Sequence, residues 1–159
     1  SAGKMDIYEA YSEIKKIKDV RQFTGILYGL SFVGVALFFT MMLGGDFTDC
    51  MVAGVAGLAM AITQWALVPF GFNSFFLNMI STLSMALTAV GFQRFVFPNM
   101  NIDLVIIGGI MPIVPGVIFT TAMRDTLNGD YTAGVSRMLE TGVVAFAVAV
   151  GVALAYVIL

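Results

Sequence analysis

Histidine is absent from the 159 residues, cysteine and tryptophan occur once each, and proline occurs four times. Without histidine, and with Cys50 alone, the chain cannot assemble a zinc site, a Cys–His nucleophile pair or an internal disulfide framework. Charge is equally scarce. Asp, Glu, Lys and Arg make up 11% of the chain, where a soluble domain carries about 25%. The net charge is −2, and no basic cluster reaches the size that nucleic acid requires. No nucleophile, base and acid can be grouped into a catalytic set, so the composition argues against an enzyme and implies no cofactor or metal.

What is abundant is apolar residues, 59% of the chain, gathered in blocks rather than spaced periodically. Blocks of about 20 apolar residues match the hydrocarbon thickness of a bilayer, so the chain reads as an all-α integral membrane protein. Residues 1–23 are the exception. Within 4–22, KMDIYEAYSEIKKIKDVRQ, Ile7, Tyr11, Ile14 and Ile17 share one helical face among charges of both signs. This predicts an amphipathic cytoplasmic lead-in helix. Residues 24–159 predict a five-span membrane domain, with spans at 24–43, 50–68, 74–92, 104–125 and 135–159.

Small residues mark where these spans can approach one another. Gly25 and Gly29 lie on one side of the first, and Ala53, Gly57 and Ala61 form a stripe on the second. The loop after the first span ends in FTD (47–49), with Asp49 as candidate N-cap of the second. Gln64 lies inside the second span, and Trp65 sits near its end as an interfacial aromatic. The third span is the most polar, with Asn78 and Thr82 one turn apart and Ser81 and Ser84 beside them. The fifth carries two ridges, Ala145, Ala149 and Ala153, and Ala147, Gly151 and Ala155, which predict packing on two sides.

The fourth span is different. Residues 108–130 read GGIMPIVPGVIFTTAMRDTLNGD, with Pro112, Pro115 and Gly116 inside the apolar run. Each proline removes an N–H, clashes with the carbonyl one turn back and pushes the residue before it out of helical geometry. The span is therefore expected to break at this Pro-x-x-Pro-Gly stretch. At membrane depth, freed backbone groups survive only in protein or around a water-filled cavity. The restarted helix would present uncommitted N–H groups and its positive dipole end near Gly116 and Val117, followed by Thr120, Thr121, Arg124 and Asp125. These residues, with Gln64 and Asn78 from neighbouring spans, form the candidate substrate site for an anion or zwitterion. Arg124 is expected to pair with Asp125 or to attract an anionic substrate at the cytoplasmic mouth.

Lys4, Lys15, Lys16, Lys18 and Arg21 precede the first span. With the N-terminus cytoplasmic, Arg124 and Arg137 join them, and of the eight basic residues only Arg94 falls outside. This seven-to-one asymmetry predicts a multi-pass protein with its N-terminus cytoplasmic and its C-terminus outside; the expected location is the plasma (inner) membrane. An odd span count suits half of an inverted-repeat transporter. No repeat is visible within the five spans, so the second half is expected from another chain or from a homo-oligomer.

The run IDLVIIGGIMPIVPGVIFTTAMRDTLNGDYTAGVSRMLE, together with LGGDFTDCMVAGVAG, resembles the membrane part of threonine/serine exporter family proteins. The PGVIFTTAMRDTLNGDY segment is its most specific part, and the likeness extends from about Tyr8 to the end. The resemblance implies export of small amino acids such as threonine and serine, or of dicarboxylates such as succinate in related two-component systems. It also implies a cytosolic domain ahead of five spans and a second five-span half. Carried over residue by residue, it points to Pro112, Pro115, Gly116, Thr120, Thr121, Arg124 and Asp125. Thr121 departs from the pattern, standing where many relatives carry Asn. The expected function is thus a membrane subunit exporting small carboxylate-bearing metabolites, most simply amino acids. The alternatives are a dicarboxylate exporter subunit and a non-transporting scaffold for a soluble partner.

Overall fold

Asp46 opens the first long helix by a reciprocal arrangement of two aspartates. Its N–H donates to Asp49 Oδ2 at 3.1 Å, so Asp46 is the N-cap and Asp49 occupies the third helical position. The sequence reading had made Asp49 the cap; the carboxylate reaching back from the first turn instead starts the helix nearly a turn earlier. Asp49 is 3% exposed, and its Oδ1 also accepts the Asn101 N–H at 3.0 Å. One buried carboxylate therefore ties two loops together at one end of the molecule.

The computed structural model describes residues 25–159; the lead-in helix expected over 4–22 lies outside the described residues. The described chain is helical, with elements α1 (Gly25–Met42), α2 (Phe47–Leu67), a 3-10 turn (Val68–Phe70), α3 (Ser74–Phe95), α4 (Ile102–Ile110), α5 (Gly116–Leu127) and α6 (Tyr131–Ile158). By length and composition, three helices can cross a membrane: α2 continued through the 3-10 turn, α3 and α6. Helix α1 is apolar but shorter, over Ile26–Met42. The expected fourth span is the pair α4 and α5, separated where the prolines stand. Asn73 caps α3 by accepting the Phe75 N–H at 3.3 Å. Asp130 caps α6 by accepting the Ala133 N–H at 3.1 Å, which starts that helix at Tyr131 rather than at 135.

Glycines set the closest contacts. A Cβ added at Gly57 of α2 would lie 2.9 Å from both the Ala36 Cβ and the Phe32 carbonyl oxygen of α1. At Gly151 of α6 it would meet the Met79 carbonyl oxygen of α3 at 2.6 Å. Gly108 and Gly109 of α4 do the same toward Thr40 of α1 and Met85 of α3. Short helix α4 is thus wedged among α1, α2 and α3, over a core that includes Met60, Met85 and Val105. Helix α5 packs mainly on α6, and α6 on α3 and α5. Of the two ridges on α6, Ala147, Gly151 and Ala155 are buried, while Ala145, Ala149 and Ala153 are exposed. The second side of α6 is met by α5 near the helix start, not along the Ala145 ridge.

Directions follow from the same contacts. Gly29 lies beside Leu58, and Gly54 beside Val33 and Leu37, so α1 and α2 are antiparallel. Phe75 stacks on Phe146 at 6.3 Å while Gly151 meets Met79 to Leu83. Helices α3 and α6 therefore run parallel.

Candidate functional site

The break spans residues 111–115. After Ile110 the ladder tightens: the Ile113 N–H reaches the Ile110 carbonyl at 3.0 Å, and the Gly116 N–H reaches only as far as Val114, at 2.8 Å. Regular bonding resumes with the Phe119 N–H on the Pro115 carbonyl at 3.0 Å. Pro115 is the N-cap of α5 and has no side-chain donor or acceptor to give. Among the described residues, the N–H groups of Val117 and Ile118 have no acceptor, so the positive end of α5 is open.

Beside the break lies a cavity of about 410 Å³. Pro112, Ile113, Pro115 and Ile118 form one wall. Tyr28 and Phe32 of α1, Gln64 of α2, Ser74 and Asn78 of α3, and Glu140 and Val144 of α6 supply the rest. The Tyr28 hydroxyl donates to Gln64 Oε1, which fixes the amide of a side chain only 7% exposed. The Gln64 Nε2 donates to no protein acceptor, and no buried side-chain nitrogen is left without a partner among the described residues. Gln64 is thus a cavity-lining side chain whose amide oxygen is held by Tyr28.

Of the residues singled out in the sequence, Gln64, Asn78, Pro112 and Pro115 share this cavity. Gly116, Val117, Thr120, Thr121, Arg124 and Asp125 lie on α5 outside its lining. The Thr120 and Thr121 hydroxyls both donate to the Val117 carbonyl, at 3.0 and 2.6 Å. Asp125 pairs with Arg137 of α6 rather than with Arg124. The reason is geometric: consecutive residues on a helix point about 100° apart, whereas α5 and α6 form a hairpin that brings residues 125 and 137 together.

Tyr28, Ser74 and Glu140 had not been marked in the sequence. Glu140 carried a usable signal, because an ionisable residue within a largely apolar helix marks a candidate site. Tyr28 and Ser74 carried none, since aromatic and serine residues near span ends are common. A larger groove, about 700 Å³, runs along α1 and α2 but is lined by apolar side chains such as Ile26, Leu30, Leu58 and Ile62. It offers little to orient a polar solute.

Broken helices beside a cavity recur in membrane transport proteins. The chain belongs to the threonine/serine exporter family, ThrE, whose profile matches residues 1–159. No curated protein and no solved structure matches it.

Proposed function

We propose that this cavity is the substrate site of an exporter subunit for small carboxylate-bearing metabolites, foremost amino acids such as threonine and serine. The observation that carries the reading is the meeting of Gln64, Asn78, Pro112 and Pro115 on one cavity beside the open end of α5. A carboxylate needs donors. The Thr120 and Thr121 protons are committed to the Val117 carbonyl, so the Ile118 N–H and the amides of Gln64 and Asn78 are the better partners, and the two hydroxyls serve α5 itself.

Five crossings fit the directions of the helices. Helices α3 and α6 are parallel, so α4 and α5 together carry the chain back once between them. The cavity draws on the start of α1, the end of α2 and the start of α3, and lies toward the end of the bundle nearer Arg124 and Arg137. With the cationic end cytoplasmic, the site collects its substrate from inside the cell, as export from the plasma membrane requires. The second half of the machine is another five-span chain or a second copy. Counterflow in proteoliposomes, with labelled threonine, serine and succinate in turn, tests the reading. Exchange of an amino acid that Asn78→Leu abolishes supports it; exchange that Asn78→Leu and Gln64→Leu both leave intact overturns it.

A further inference from the structure

Resting on the reading of the cavity as the substrate site, we infer that Glu140 receives the ammonium group of a zwitterionic substrate and thereby selects amino acids over dicarboxylates. Glu140 is the charged side chain of the cavity lining; the other lining groups are hydroxyls, amides and apolar side chains. It stands about 14 Å along α6 from Tyr131, at 1.5 Å per residue. Glu140 is exposed, one turn beyond Arg137 at the polar start of the helix, and an ionisable side chain that lines a cavity there is placed to meet a charged group of a solute.

The surrounding charges leave that role open. Arg137, one turn earlier on the same helix, is engaged by Asp125. Among the described residues no lysine or arginine forms an ion pair with Glu140. The same lining includes Pro115 and Ile118, at the start of α5, where the unaccepted N–H groups give the positive end of the helix dipole. The cavity lining therefore carries an anionic side chain from α6 and, from α5, the residue Ile118 with its unaccepted N–H. A zwitterion has one group for each. A dicarboxylate would set its second carboxylate against Glu140, and the mismatch would exclude it through repulsion rather than size.

L-Serine and glycerate isolate the effect, since they differ only in carrying an ammonium or a hydroxyl on the same carbon. Binding of each to the purified full-length protein is measured for the parent, Glu140→Gln and Glu140→Asp. The parent is expected to favour serine by about tenfold or more, the scale of one charge-assisted contact. Glu140→Gln should lower serine affinity by a similar factor while leaving or improving that for glycerate, and Glu140→Asp should restore part of the preference. Retained glycerate binding by Glu140→Gln shows that the variant is folded. If the parent binds serine and Glu140→Gln keeps the same serine-to-glycerate ratio, the role of Glu140 is overturned while the site stands. If the parent binds neither compound, the reading of the cavity falls, and this inference with it.

Discussion

Tyr28 and Gln64, 36 residues apart, share one hydrogen bond in which the tyrosine hydroxyl donates to the amide oxygen across the α1–α2 contact. The bond holds a buried amide in the lining of the cavity. Tyr28→Phe leaves that oxygen buried without its donor, which costs about 1–3 kcal/mol. The double variant Tyr28→Phe/Gln64→Leu removes both partners and should recover most of that stability. Substrate exchange should fall in the single variant and vanish in the double. Thermal unfolding in detergent, run beside counterflow, checks both halves.

Gly57 and Gly151 let helix backbones touch, and Gly142 faces open space. Gly57→Ala and Gly151→Ala place a methyl against backbone atoms and should destabilise by about 1–3 kcal/mol. Gly142→Ala should be neutral or stabilise by up to about 1 kcal/mol, because alanine is the better helix former. Equal melting temperatures for all three would contradict the packing. Ala149→Leu, on the exposed ridge, should leave folding unchanged and alter only assembly, as read by crosslinking or native electrophoresis.

Asp49→Ala removes the acceptor for two N–H groups, on Asp46 and Asn101. Each hydrogen bond to a charged group is worth about 1.5–3 kcal/mol. The expected outcome is a large drop in melting temperature with faster hydrogen exchange in both loops. An unaffected exchange rate at Asn101 would show that the loop is held by other contacts.

The Arg137–Asp125 pair is partly exposed, so a double-mutant cycle should give only about 0.2–1 kcal/mol of coupling. Arg124→Ala should show no coupling to Asp125→Ala. Coupling of the opposite pattern would mean that α5 and α6 are rotated from the arrangement described.

Pro115→Ala restores an N–H at the N-cap of α5 and allows the helix to extend backward. Stability should rise or hold, while exchange should collapse as the open N–H groups near the cavity become committed. Gly116→Val serves as a companion, since an added Cβ there has no neighbour within 4 Å. It should fold normally, so any loss of binding reports on substrate approach rather than on packing.

The helix break was legible because proline acts locally: Pro112 and Pro115 forbid a continuous ladder wherever the chain places them. Helix positions were legible for the same reason, the length and apolarity of each block being local quantities. The partners of side chains were not. Asp125 lies beside Arg124 in sequence, yet the α5–α6 turn decides its partner. The two ridges on α6 look alike as strings of alanine and glycine, and only the direction of α3 determines which is covered. Tyr28 joins Gln64 through the antiparallel α1–α2 contact, which no spacing encodes. Glu140 is the instructive omission, since its rarity inside an apolar span was visible without any fold.

Helix α5 rests mainly on α6, whereas α4 is clasped by α1, α2 and α3. The two halves of the interrupted span thus rest on different neighbours, joined by the short 111–115 link. If α6 slides or tilts along α3, α5 travels with it and carries Ile118, Glu140 and Val144. Tyr28 and Gln64 remain with α1 and α2, pinned at the far end by Asp49. The 111–115 link is then where the chain passes from one set of neighbours to the other, so a strain applied to α6 would reach α4 through five residues of non-helical backbone.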